Sequence, residues 1–192
     1  MKQEINYMKK ILFGLVVFVL MSSFALAQGN GTGNQVQIQA GNYITPSGGQ
    51  VQIQAQENNQ FRLESGAVFA HTSMQMTQEQ AGNGTTLRAT LSNGRFAEIK
   101  IMPDAASEIA LEQLRLRVCS EDNNCTLELK EVGQGEQVRA AYEVQVQKQA
   151  RLFGLFKAKM QVQAQVDAET GEAIQTKKPW WAFLASESEE SE

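Results

Sequence analysis

The chain has 192 residues, 17 basic and 21 acidic, for a formal net charge of −4, with one histidine and two cysteines. That balance argues against nucleic acid as a partner, because affinity there rests on neutralising phosphates, and against attraction to anionic lipid through overall charge. Hydrophobic residues make up 42%, enough to fill one sizeable core or two small ones.

Lys9 and Lys10 precede an uncharged stretch, residues 11–27, whose apolar part ends in Ser22-Ser23-Phe24-Ala25-Leu26-Ala27. A charged start, a short apolar run and an Ala-x-Ala site are the parts of a secretory signal peptide. Residues 1–27 are therefore expected to be cleaved after Ala27, leaving a secreted or cell-surface protein. The alternative is an uncleaved anchor, for which the stretch is short. Cleavage removes Lys2, Glu4, Lys9 and Lys10 and makes the remainder more acidic. No later segment is long and apolar enough to span a bilayer.

Residues 28–34 are small and polar, and are expected to be a flexible start. Residues 35–102 read as a β-rich segment. Gln35-Val36-Gln37-Ile38-Gln39-Ala40 recurs identically as Gln50-Val51-Gln52-Ile53-Gln54-Ala55. Each copy alternates β-branched and polar residues, as a strand with one dry face does. Pro46-Ser47-Gly48-Gly49 supplies a reversal, so the copies are expected to form a hairpin. The other reading is a self-associating cross-β segment.

Phe61-Arg62-Leu63 and Ala67-Val68-Phe69-Ala70 continue the strands around a turn at Glu64-Ser65-Gly66. His71 stands beside Thr72 and Ser73, but nothing in the spacing gives it a nucleophile and an orienting group. Met74 and Met76 are expected to fill the core. Strands over residues 85–91 and 95–101 flank Ser92-Asn93-Gly94, a strong hairpin signal. Of the Asn-x-Thr triplets at Asn30, Asn83 and Asn124, Asn83 is kept as an exposed glycosylation acceptor.

Pro103-Asp104 opens a helix, with Asp104 as its cap and Ala106, Ile109, Ala110, Leu114 and Val118 on its apolar face. Cys119 stands at its end and Cys125 opens the next strand, residues 126–130. In an exported protein the pair is expected to form a disulfide, contributing about 2–2.5 kcal/mol on the chain-entropy model. A redox pair or half a metal site is the alternative, and neither the spacing nor any nearby histidine favours it.

From Tyr142 the apolar residues fall on even numbers: Tyr142, Val144 and Val146, then Ala158, Met160, Val162, Ala164 and Val166. Period two puts one face on a core. Gly154, inside Leu152-Phe153-Gly154-Leu155-Phe156, permits the reversal. Asp167-Ala168-Glu169-Thr170-Gly171 turns the chain into a last strand at residues 173–176. Asp167, Glu169 and Glu172 match no calcium loop and read as a solvated turn.

Helix, short strand, Tyr142-Glu143-Val144-Gln145-Val146, hairpin and Val166-Asp167-Ala168-Glu169-Thr170-Gly171-Glu172-Ala173 together resemble the PepSY family. The resemblance covers roughly residues 104–176. It departs from the family in the insert at residues 149–159, in the cysteine pair and in the β-rich segment in front. The whole chain also resembles small exported archaeal proteins of unknown function that end in a comparable Lys177-Lys178-Pro179-Trp180-Trp181-Ala182-Phe183-Leu184. The family resemblance implies protease inhibition or protein interaction in the cell envelope, with no shared catalytic residues.

The expectation is thus an α+β protein: residues 35–102 β-rich, then a domain at residues 103–184 with one α-helix packed on an antiparallel β-meander, then a disordered acidic tail at residues 185–192. No catalytic residue, cofactor site or metal site is assigned, and no phosphate loop, HExxH or GxSxG is present. The candidate partner-binding residues are Leu152, Phe153, Leu155 and Phe156 at the hairpin tip, with Trp180 and Trp181. The expected partner is an envelope or extracellular protein, and membrane contact is confined to the signal peptide or to this tip. The competing readings are a tip folded back over the β-rich segment and tryptophans that plug the core. A structural surface protein assembled through its glutamine-rich strands is the alternative function.

Overall fold

The computed structural model describes residues 36–116 and 125–187. The expected signal peptide, residues 28–34, Cys119 and residues 188–192 lie outside the described residues, so the disulfide expectation does too. The elements are β1 (Val36–Gln37), β2 (Gly41–Ile44), β3 (Gln50–Ala55), β4 (Phe61–Ser65), β5 (Val68–Thr72), β6 (Met76–Ala81), β7 (Gly84–Thr90) and β8 (Phe96–Glu98). Then come helix α1 (Pro103–Leu114), β9 (Thr126–Val132), β10 (Arg139–Leu152), β11 (Phe156–Asp167), β12 (Ala173–Lys177) and β13 (Ala185–Glu187). The described residues are mostly strand with one α-helix, an α+β protein.

Two sheets result. The smaller has the order β1-β6-β7-β8, and the larger β12-β11-β10-β9-β5-β4-β3-β2, with β13 added on β10. All pairings are antiparallel except β5 with β9, which is parallel and holds through one residue pair, His71 opposite Glu128. The larger sheet is therefore two antiparallel ladders joined at a narrow seam. Helix α1 lies against β4 and β5 on one side of the seam and β10, β11 and β12 on the other.

The even-numbered residues of β10 and β11 face the core. Tyr142, Val144, Val146, Met160, Val162, Ala164 and Val166 are all buried, joined by Ala106, Ala110 and Leu114 of the helix and by Met76, Leu87 and Ala89 of the smaller sheet. Each large apolar side chain so enclosed stabilises by roughly 1.5–3 kcal/mol. Tyr142 and Val166 face each other across the ladder, as do Val144 with Ala164 and Val146 with Val162. The period-two pattern extends through the presumed insert at residues 149–159, which is the outer half of the same hairpin.

The repeat does not pair with itself. The second copy is β3, whose hairpin partner is Gly41–Ile44, with Ile44 opposite Gln50, while the first copy contributes β1 to the smaller sheet. The nearer segment wins because it needs only a short loop, closed by Thr45 N–H to Gly49 O and Gly48 N–H to Thr45 O. Gly84 marks where the sheets meet: a Cβ there would come within 2.7 Å of the Pro46 backbone.

The helix cap is Met102 rather than Asp104, with Pro103 at the first helical position. Proline is pre-set for that place, which moves Asp104 into the first turn, where its Oδ1 accepts the Ala105 N–H. The helix stops at Leu114, with Arg115 left-handed (φ 54°) and Leu116 N–H returning to Leu111 O. That closure caps the helix; Val118, expected on its apolar face, lies outside the described residues. Lys148, buried in the hairpin, donates from Nζ to Leu114 O at 2.7 Å and brings a cation to the negative helix end. The tail also differs: Ala185–Glu187 is strand β13, held by pairing with Ala150, Arg151 and Leu152.

Candidate functional site

Outward from the core, the open face of the larger sheet carries a row of polar residues in register. Gln54, Arg62, His71, Glu128, Glu143, Gln165 and Gln175 follow one another from β3 to β12. The row is internally compensated. Glu143, only 3% exposed, accepts hydrogen bonds from Lys130, Gln145 and Gln165. Burial alone pushes its carboxyl up, but those hydrogen bonds and the Lys130 charge outweigh it and hold the carboxyl below the ordinary range. Arg62 lies 3.9 Å over the Phe69 ring and pairs with Glu64.

His71 is exposed on this face, edge-on to Phe69 at 5.3 Å. Thr72 points the opposite way into the core, where its Oγ1 accepts the Met74 N–H. Strand alternation thus puts His71 and Thr72 on opposite faces of the sheet. Met76 is buried and Met74 packs on the core. The hydroxyl of Tyr142 has no hydrogen-bond partner among the described residues. Burial, with the Asp104 charge, pushes its pKa above the ordinary range, so it stays a neutral core group.

Asp167 is also spent on structure. Its Oδ1 accepts the N–H groups of Glu169 and Thr170, and Arg139 approaches its Oδ2 at 3.3 Å. Among the described residues no group of three His, Cys, Asp or Glu converges as a metal site would require. Gly171, at φ 76° with Ile101 and Ile109 close by, lets this turn press on the helix. Asn83 is exposed in the β6–β7 turn.

The far end of the β10–β11 hairpin is different. Leu152 pairs with Phe156, and Phe153 (φ 51°) and Gly154 (φ 72°) turn the chain, with Leu155 N–H donating to Leu152 O. Asparagine or glycine usually takes such left-handed positions; here a phenylalanine does. From β12, on the outer edge of β11, the chain crosses the hairpin to reach β13 on the opposite edge of β10. The crossing is a 3-10 turn, Trp180–Leu184, and Phe153 N–H donates to Leu184 O at 3.0 Å.

Trp181 and Ala182 turn toward the core. Trp180, Phe183, Phe153, Leu155 and Phe156 do not, with exposures between 66% and 81%. The tip stays exposed rather than folding back, and of the two tryptophans expected to plug the core Trp181 packs on it while Trp180 does not. Leu152 and Trp181 are half-buried and support the patch from below. Sequence reasoning singled out both segments but gave no sign that β13 brings them side by side, and it passed over Phe183. The signal for it was an aromatic residue three after Trp180, one turn along a helical segment.

No family model, no curated protein and no solved structure matches this chain.

Proposed function

We propose that the chain is a secreted, non-catalytic binding module whose contact surface is the apolar end of the β10–β11 hairpin with the Trp180–Leu184 turn. One observation carries this: five large apolar side chains, from segments far apart in sequence, stand exposed together at one end of the molecule. Exposed apolar groups gathered in this way mark interaction sites, whereas singly scattered ones do not. Export rests on the pattern of residues 9–27. Helix α1 on the β9–β12 ladder is the part read as PepSY-like.

Self-assembly through the glutamine-rich repeat has less support: in the second copy β3 has a hydrogen-bonded neighbour on each edge, and in the first copy the strand at the sheet edge, β1, is only 2 residues long. The separation of His71 from Thr72 weighs against hydrolysis.

The test is sedimentation of the purified chain with the native cell-envelope fraction. Wild type should bind saturably, and the Phe153→Ser/Phe156→Ser double variant should lose at least about tenfold in affinity, as truncated hot spots do. Equal binding by the two proteins refutes the reading.

A further inference from the structure

The charges around the tip identify what it contacts. From Glu143 to Asp167 the chain contains no carboxylate, while Arg151, Lys157 and Lys159 all lie in that stretch and are all exposed. The ladder sets Arg151 directly opposite Lys157, and Gln149 opposite Lys159. Like charges in that relation oppose each other and destabilise a sheet. On the rest of the sheets several cations are paired: Arg62 with Glu64, Arg88 with Glu79, Lys100 with Glu98 and Glu169, Lys130 with Glu143, and Arg139 with Asp167. None of the three tip cations has an ion pair among the described residues. Lys177 and Lys178 lead into the crossing turn and add the same sign.

We infer, resting on the binding-module reading, that the partner is the surface of an anionic lipid bilayer, entered by Phe153, Leu155, Phe156, Trp180 and Phe183 while Arg151, Lys157 and Lys159 meet the lipid phosphates. Aromatic rings favour the headgroup level, and long cationic side chains extend to the phosphates beside them. Lys159 stands four residues from Leu155, about 13 Å along an extended strand, so the cations sit behind an apex that enters roughly 5–10 Å. The apex is also fit to leave water. Leu155 N–H and Phe153 N–H have carbonyl partners, and Arg151 O accepts the Ser186 hydroxyl, which lowers the cost of carrying those groups toward lipid. The net negative charge of the whole chain does not prevent this, because screening limits attraction to charges within about 8–10 Å of the surface. A protein pocket would need only the apolar anchors; the unpaired cation row is what a plane of phosphates explains.

Trp180 and Trp181 are the two tryptophans of the chain, so tryptophan emission reads this end and is blind to the apolar stretch at residues 11–21. The full chain is mixed with phosphatidylcholine vesicles, with and without phosphatidylglycerol, carrying brominated acyl chains. Emission should shift to the blue and be quenched with phosphatidylglycerol and far less without it. The Arg151→Gln/Lys157→Gln/Lys159→Gln variant should partition roughly fivefold more weakly per cation removed. Phe153→Ser/Phe156→Ser should abolish quenching while circular dichroism stays that of wild type. An unchanged emission with phosphatidylglycerol, or wild-type partitioning by the triple glutamine variant, overturns the inference. So does an emission change that follows protein concentration without vesicles and accompanies a dimer in sedimentation, since the occupant is then a second copy. Protease-sensitive binding to native envelopes with no response to vesicles leaves the binding module standing and removes the lipid.

Discussion

The two halves of the β10–β11 hairpin share one ladder, one register and one alternation, yet only the inner half is dry. Around Tyr142, Val144, Val162 and Val166, helix α1 and the smaller sheet close over the even-numbered face. Around Leu152 and Phe156 the cover is one short crossing turn, which turns Trp181 inward and leaves Trp180 and Phe183 in water. The polar faces differ in the same direction. Glu143 in the inner half is compensated by Lys130, Gln145 and Gln165, whereas Arg151 and Lys157 in the outer half face each other. Alternation therefore decides which side chains share a face, and the elements packed on that face decide whether it is core or contact surface.

The largest effect expected from breaking this contrast is at the inner half. Val162→Asp buries an unpaired charge and should remove more than about 4 kcal/mol, read as loss of a cooperative urea transition. Glu143→Gln is the next step down. It should cost about 1–3 kcal/mol near neutral pH, as loss of a charge-assisted hydrogen bond does. Because the folded carboxyl lies below its ordinary value of 4.5, its contribution is present above that value and fades as pH falls through the folded one. Denaturation midpoints measured between neutral and acid pH should therefore fall less steeply in the variant.

At the outer half the same measurements should barely move. Phe153→Ser/Phe156→Ser should change stability by no more than about 0.5 kcal/mol, as exposed sites do; a larger loss means the tip is part of the core after all. The smallest effect has the opposite sign. Arg151→Gln should stabilise by about 0.2–1 kcal/mol at low salt by relieving its repulsion with Lys157, and the gain should shrink as salt is added. If salt does not affect it, the two cations are not in conflict.

Much of the fold was legible. The parity from Tyr142 to Val166, the Asn93-Gly94 and Gly154 reversals and the helix from Pro103 all follow from local pattern and turn chemistry, and local pattern acts whatever the rest of the chain does. The pairing of strands is a competition between segments, and residue pattern alone does not settle it. Gly41-Asn42-Tyr43-Ile44 is a weak strand by composition, yet it pairs with β3 because it lies nearer than the identical repeat. The seam at His71 and Glu128 joins segments more than fifty residues apart, with no local signal to announce it. The site was half legible for the same reason. Both apolar segments stood out by composition, but the residues that unite them, Ala185-Ser186-Glu187, read as the start of an acidic tail.

The seam bears on how the molecule holds itself up. A sheet stitched across its middle by a single residue pair has little rigidity of its own there, and α1, lying against strands from both ladders, serves as the splint. Each ladder is built from near neighbours in the chain and can zip up early; bringing them into one surface waits for the helix to seat. Loosening Ala106, Ala110 or Leu114 would then divide the molecule along that line before it melted either half.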